Sequence, residues 1–85
     1  MTFGFYLDIN RLMEVIVRFG QGKVRPEVFW WNGREYKVKQ IPLVFERKDG
    51  GRKYLCFSVD CGGMMAELQL DLQNFQFSIG QIRPI

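Results

Sequence analysis

The stretch YLCFSVDCGGMMAELQLD, residues 54–71, decides the fold. Leu55, Phe57 and Val59 alternate with Tyr54, Cys56, Ser58 and Asp60. Ala66, Leu68 and Leu70 alternate with Met65, Glu67, Gln69 and Asp71. A period of two marks a strand with one buried face. Gly62-Gly63 suits a two-residue turn, whose residues need positive φ. That turn sets Cys61 opposite Met64, Val59 opposite Ala66, Phe57 opposite Leu68 and Leu55 opposite Leu70.

The same logic extends both ways along the chain. A turn near Gln73-Asn74 pairs Leu70 with Phe77 and Leu68 with Ile79. Upstream, Asp49-Gly50-Gly51 suits a three-residue loop with one left-handed glycine. Phe45 then faces Leu55, Leu43 faces Phe57 and Ile41 faces Val59. Asn32-Gly33 is the strongest hairpin signal, and it pairs Trp31 with Arg34, Trp30 with Glu35, Phe29 with Tyr36 and Val28 with Lys37. Pro42 has no N–H for a ladder, and side-chain parity must shift between Val38 and Ile41. A bulge or bend is therefore expected near Gln40–Pro42.

The turn assignments from Asp49 onward converge on one apolar face. A slip of one residue in any hairpin would scatter it. The expectation is an all-β domain of about six antiparallel strands in meander order, curled into a small barrel or a strongly bent sheet. Asp8 to Gly20 reads two ways. Ile9, Leu12, Met13, Ile16 and Phe19 fit a helical stripe capped by Asp8 and Gly20. Val15, Val17 and Phe19 alternate, and the β-branched run favours a strand over 13–19. Residues 13–85 then form a single β domain, and 1–12 an extension of unclear role.

Composition excludes several classes. The 85 residues are 47% hydrophobic and 25% charged, which suits one globular domain. No uncharged apolar run is long enough for a membrane helix, so no membrane partner is expected. The N-terminus lacks a basic region and a cleavage site, so no secretory signal is expected. There is no histidine, which removes the usual general base and the commonest zinc ligand. Cys56 and Cys61 lie five positions apart and point to opposite faces of one strand, so they are expected unpaired, as suits a cytoplasmic protein. No cofactor motif is present. Gly20-Gln21-Gly22-Lys23 lacks the strand and helix context of a phosphate loop and reads as a turn.

The net charge is +3, and it is uneven. Residues 1–54 carry eleven basic and six acidic side chains; residues 55–85 carry one and three. Lys37, Lys39, Arg47, Lys48, Arg52 and Lys53 cluster along one hairpin, and Trp30 shares a face with Glu35, Lys37 and Lys39. An indole beside lysines can stack a base while the lysines hold phosphate. Trp30, Lys37, Lys39, Arg47, Lys48, Arg52 and Lys53 are therefore the candidate nucleic-acid surface. The plainer reading is that lysines protect sheet edges and residues 13–19 cover Trp30. Glu67 opposite Ser58 and Asp71 opposite Tyr54 are the only carboxylates suggestive of chemistry. No nucleophile and base accompany them, so no catalytic residue is expected.

Two segments carry a family resemblance. They are Arg25-Pro26-x-x-Phe29-x-Trp31-x-Gly33-Arg34-x-Tyr36-x-Val38-x-x-Ile41, and Gly62-Gly63-x-x-x-Glu67-Leu68-x-x-Asp71-Leu72 followed by Phe77-x-Ile79. The chain resembles, over roughly 13–83, a family of small bacterial all-β proteins of unknown function. A similar domain is appended to some Y-family polymerase-like proteins of mutagenesis cassettes. The resemblance implies a strand at 13–19 and an association with DNA damage tolerance, and it implies no catalytic residue. Trp30 and Phe77 depart from its pattern. Together these features point to a non-catalytic binding module with nucleic acid as partner, or alternatively to a protein-interaction or self-assembly module forming homo-oligomers.

Overall fold

The computed structural model describes residues 12–84. Seven strands follow one another: β1 (Leu12–Gly20), β2 (Lys23–Trp31), β3 (Arg34–Lys37), β4 (Gln40–Asp49), β5 (Arg52–Asp60), β6 (Met64–Asp71) and β7 (Phe77–Pro84). They form one antiparallel sheet in the order β3-β2-β1-β7-β6-β5-β4. The class and the meander character are as expected. The count is seven instead of six, with the chain from Arg34 to Asp49 dividing at Val38-Lys39. Residues 13–19 are strand, not helix. Residues 1–11 of the expected 1–12 extension lie outside the described residues; Leu12, its last residue, is the first of β1.

The sheet is strongly bent and does not close into a barrel. Its two end strands, β3 and β4, are joined by only Val38 and Lys39. Val38 N–H donates to Glu27 O in β2, and Lys39 N–H donates to Asp60 O in β5. The chain thus leaves one end of the sheet and enters the other. β3 and β4 lie end to end, so no ladder seals the gap between them. At the middle of the order, β1 meets β7 through only two residue pairs, Leu12 with Ser78 and Met13 with Phe77.

The inner face of the bend holds the core: Phe29, Phe57, Val59, Ala66, Leu68, Leu70, Phe77 and Ile79. Phe29 stacks on Tyr36 at 5.1 Å, and Phe57 meets Phe77 at 6.2 Å. The β5–β6 and β6–β7 registers match the sequence reading, with Phe57 opposite Leu68 and Leu68 opposite Ile79. The Asn32-Gly33 hairpin matches at all four pairs. The expected irregularity at Gln40–Pro42 is a register shift between Gln40 and Leu43.

The β4–β5 register differs from expectation, and the difference reshapes the surface. Asp49 pairs with Arg52 across a two-residue turn. Gly50 and Gly51 both have positive φ, 59° and 87°. Two adjacent left-handed residues are what the type I′ hairpin turn requires, whereas a three-residue loop needs one. Every side chain of β4 from Leu43 to Asp49 therefore moves to the other face. Leu43 lies opposite Ser58 and Phe45 opposite Cys56, while Val44 lies opposite Phe57. Neither Leu43 nor Phe45 enters the core. The Gln40–Leu43 shift restores the earlier parity, and Ile41 packs against the core as expected.

Candidate functional site

The flipped strand builds the outer face of β4–β7 in cross-strand rows. One row is Leu43, Ser58, Glu67 and Gln81; the next is Phe45, Cys56, Gln69 and Ser78; a third is Arg47, Tyr54 and Asp71. Gly80 is skipped by the β6–β7 register, and Gln69 lies over it. A Cβ at Gly80 would stand 2.5 Å from Gln69 Nε2, so the bare backbone makes room for that amide.

The third row is a charged network. Arg47 Nη2 donates to Gln69 Oε1 at 3.0 Å, and its guanidinium lies 4.9 Å from the Tyr54 ring centroid. Cys56 is fully buried beneath it. Burial pushes the Cys56 thiol up, and the Arg47 contact offsets part of that shift. Burial and the Asp60 carboxylate push the Cys61 thiol up too. Both cysteines are free, Cys56 beneath the outer face and Cys61 against the core. Asp71 accepts from Gln73 N–H at 2.8 Å and from Arg52. The Gln73 bond and the Arg52 charge hold its carboxyl below the ordinary carboxylate range.

Beside the network lies a groove of about 140 Å³, walled by Leu43, Phe45, Met65, Glu67, Gln81 and Arg83. Its volume is that of a side chain, well below the ~300 Å³ at which drug-sized ligand pockets begin. The groove reaches from Gln81 and Arg83 of β7 to Leu43 and Phe45 of β4, the end strand of the sheet. Leu43, Val44 and Phe45 are exposed there at 54%, 49% and 37%. Among the described residues no strand pairs with the outer edge of β4, and consecutive apolar residues on such an edge are uncommon, because such edges recruit further strands. The other end strand, β3, reads Arg34-Glu35-Tyr36-Lys37 and is blunted by charge.

The sequence-selected cations do not gather into one surface. Arg47 and Arg52 engage Gln69, Tyr54 and Asp71 on the outer face. Lys48 pairs with Lys53 near the hairpin tip on the opposite face. Lys37 lies opposite Val28 in β2, and the Lys39 stem packs over Gly62, where a Cβ would meet Cε at 2.8 Å. Trp30 is half-buried on the outside of the sheet, directly between Glu14 of β1 and Glu35 of β3. Its nearest cross-strand neighbours are thus acidic.

Glu67 and Asp71 stand opposite Ser58 and Tyr54, as the sequence implied. Asp71 is spent on Arg52 and Gln73, and no three potential metal ligands cluster among the described residues. No helix among the described residues is long and apolar enough to cross a membrane. The residues that sequence reasoning missed are Leu43, Val44 and Phe45. Their signal was the Gly50-Gly51 pair. No protein-family model, curated protein or solved structure matches the chain.

Proposed function

We propose that the chain is a non-catalytic protein-interaction module that takes an extended polypeptide segment along the edge of β4 that no described strand covers. The observation that carries this reading is the run of exposed Leu43, Val44 and Phe45 on an end strand. Strand addition draws affinity from main-chain hydrogen bonds and specificity from pockets for alternate side chains. The groove beside Leu43 and Phe45 is sized for one such side chain. The resemblance to a domain appended to polymerase-like proteins is compatible with an interaction role.

Selection of ten-residue peptides displayed on phage tests the reading. Peptides with alternating apolar residues should be enriched on the wild-type chain and should lose binding to Val44→Pro. No enrichment, or binding that survives Val44→Pro, would overturn it.

Nucleic-acid binding at Trp30 is the second reading. It is favoured by the partial exposure of the indole with Lys37 on the same face. Glu14 and Glu35 beside the ring oppose a phosphate backbone. A titration with single-stranded DNA at low salt, with Trp30→Ala alongside, decides it; equal affinities would sink it.

A further inference from the structure

We infer that the segment β4 receives is β4 of a second copy, antiparallel, with Val44 opposite Val44 across a two-fold axis. The inference rests on the edge-strand reading above and names its partner.

The hydrogen-bonding edge follows from the hairpin. In a two-residue turn, Asp49 C=O accepts from Arg52 N–H, which makes Asp49–Arg52 a hydrogen-bonded pair. Hydrogen-bonded and open pairs alternate along an antiparallel ladder. Phe45 and Leu43 therefore turn their backbone polar groups towards β5. Val44 and Glu46 turn theirs outward, to the free edge.

A closed two-fold pairing that keeps the outer faces aligned must oppose residues of equal parity. Four such registers lie within the exposed run and its flank. Centring on Leu43 pairs Val44 with Pro42, which has no N–H to return to the Val44 C=O. Centring on Glu46 sets two carboxylates against each other, which is unfavourable. Centring on Phe45 sets Leu43 against Arg47 and Val44 against Glu46. Centring on Val44 sets Leu43 against Phe45 twice and Val44 against itself, so every exposed apolar residue of β4 meets an apolar one.

The Val44 register also uses the outward backbone groups. Val44 exchanges N–H and C=O with its copy, and Glu46 N–H donates to Pro42 C=O, while Glu46 C=O, which proline cannot reach with an N–H, stays in solvent. Arg47 and Lys48 fall beyond Pro42 of the copy, beside uncharged Ile41 and Gln40, so no like charges oppose. Glu46, Arg47, Lys48 and Asp49 are charge-balanced, and two copies of this edge do not repel. Pro42 and the shift beside it end the pairing at both sides, once in each copy. The contact is therefore closed, a dimer and not a fibre. Three half-exposed side chains per copy cover far less than the ~800 Å² per partner of a standard interface. The dimer is accordingly weak and fills at high micromolar concentration.

Sedimentation equilibrium of the full chain, from about 1 µM to about 500 µM, tests the inference. The weight-average mass should rise towards twice 10.1 kDa. Val44→Pro and, separately, the double change Leu43→Lys with Phe45→Lys should each hold it at the monomer, with far-UV circular dichroism confirming the fold. The register has its own readout. Paired Cα atoms ~5.5 Å apart suit a disulfide. In a Cys61→Ser background, V44C should cross-link on mild oxidation and E46C should not. A monomer at every concentration, or a dimer that survives both edge variants, overturns the inference. Equal cross-linking of V44C and E46C overturns it as well. If the chain stays monomeric but still selects displayed peptides through β4, the second copy is excluded and the edge-strand reading stands. If it does neither, both fall.

Discussion

Truncating Leu43 and truncating Leu68 should have very different costs, and the difference measures the β4–β5 register. Leu68 is fully buried in the middle of β6, between Phe57 and Ile79. Its backbone is laddered on both sides, so the hole left by Leu68→Ala cannot collapse. Leucine truncations in cores cost ~2–5 kcal/mol, and this site belongs in the upper half, at about 3–4 kcal/mol. An 85-residue domain has only about 4–13 kcal/mol in total. Leu43 keeps 54% of its surface in solvent and walls an open groove, so its truncation leaves no enclosed hole. Leu43→Ala should cost only about 1 kcal/mol, the transfer value of a half-covered side chain. Urea titrations at low micromolar protein, where edge association is negligible, give both values if the slopes match that of wild type. With Leu43 facing Phe57, as a three-residue loop would require, its truncation would cost ~2–5 kcal/mol like any core leucine. A loss of 2 kcal/mol or more at Leu43 refutes the observed register, and the exposed edge with it.

Phe75 sits in the β6–β7 loop with φ 59°, exposed, in a region that bulky residues avoid. Phe75→Asn should raise stability by about 0.5–1 kcal/mol, seen as a melting temperature several degrees higher; no gain would mean that the ring contributes contacts that offset the strain. Asp71 has its carboxyl held down in the folded chain, chiefly by Gln73 N–H and then by Arg52. Its stabilising contribution is complete above the unfolded carboxylate value and is lost as pH falls through the folded one. Asp71→Asn should therefore weaken the chain near neutral pH and flatten its stability profile below about pH 4. A parallel loss at every pH would assign the effect to shape instead of charge.

The readable parts of the fold were those where turn chemistry left one option. Asn32-Gly33 and Gly62-Gly63 each admit a two-residue turn, and the apolar alternation on both flanks agrees with it. Pro42 announced its irregularity because a residue without an N–H cannot sit in a regular ladder. Gly50-Gly51 was harder, since both loop lengths can use a left-handed glycine. Alternation then favoured the three-residue loop, because it sent Leu43 and Phe45 to the core. That preference holds for a central strand flanked on both sides, but an end strand is under no such obligation. The glycine pair itself, with both φ values positive, was the better guide. The surroundings of Trp30 were only partly legible, for a different reason. Its face was legible from the hairpin, but its neighbour Glu14 depends on the β1–β2 register. That register turns on Gln21-Gly22 and on a shift between Ile16 and Val17 that no residue type advertises.

Amide hydrogen exchange at Val44 and Glu46, followed against protein concentration, tests the edge most directly. Leu43 and Phe45 amides, turned towards β5, serve as internal references and should be protected throughout. Val44 and Glu46 amides should exchange freely in dilute protein and slow progressively as concentration rises. If both exchange freely even at the highest concentration, β4 receives no second copy. If both are protected at high dilution, the edge is already paired within one chain and is not a docking strand at all.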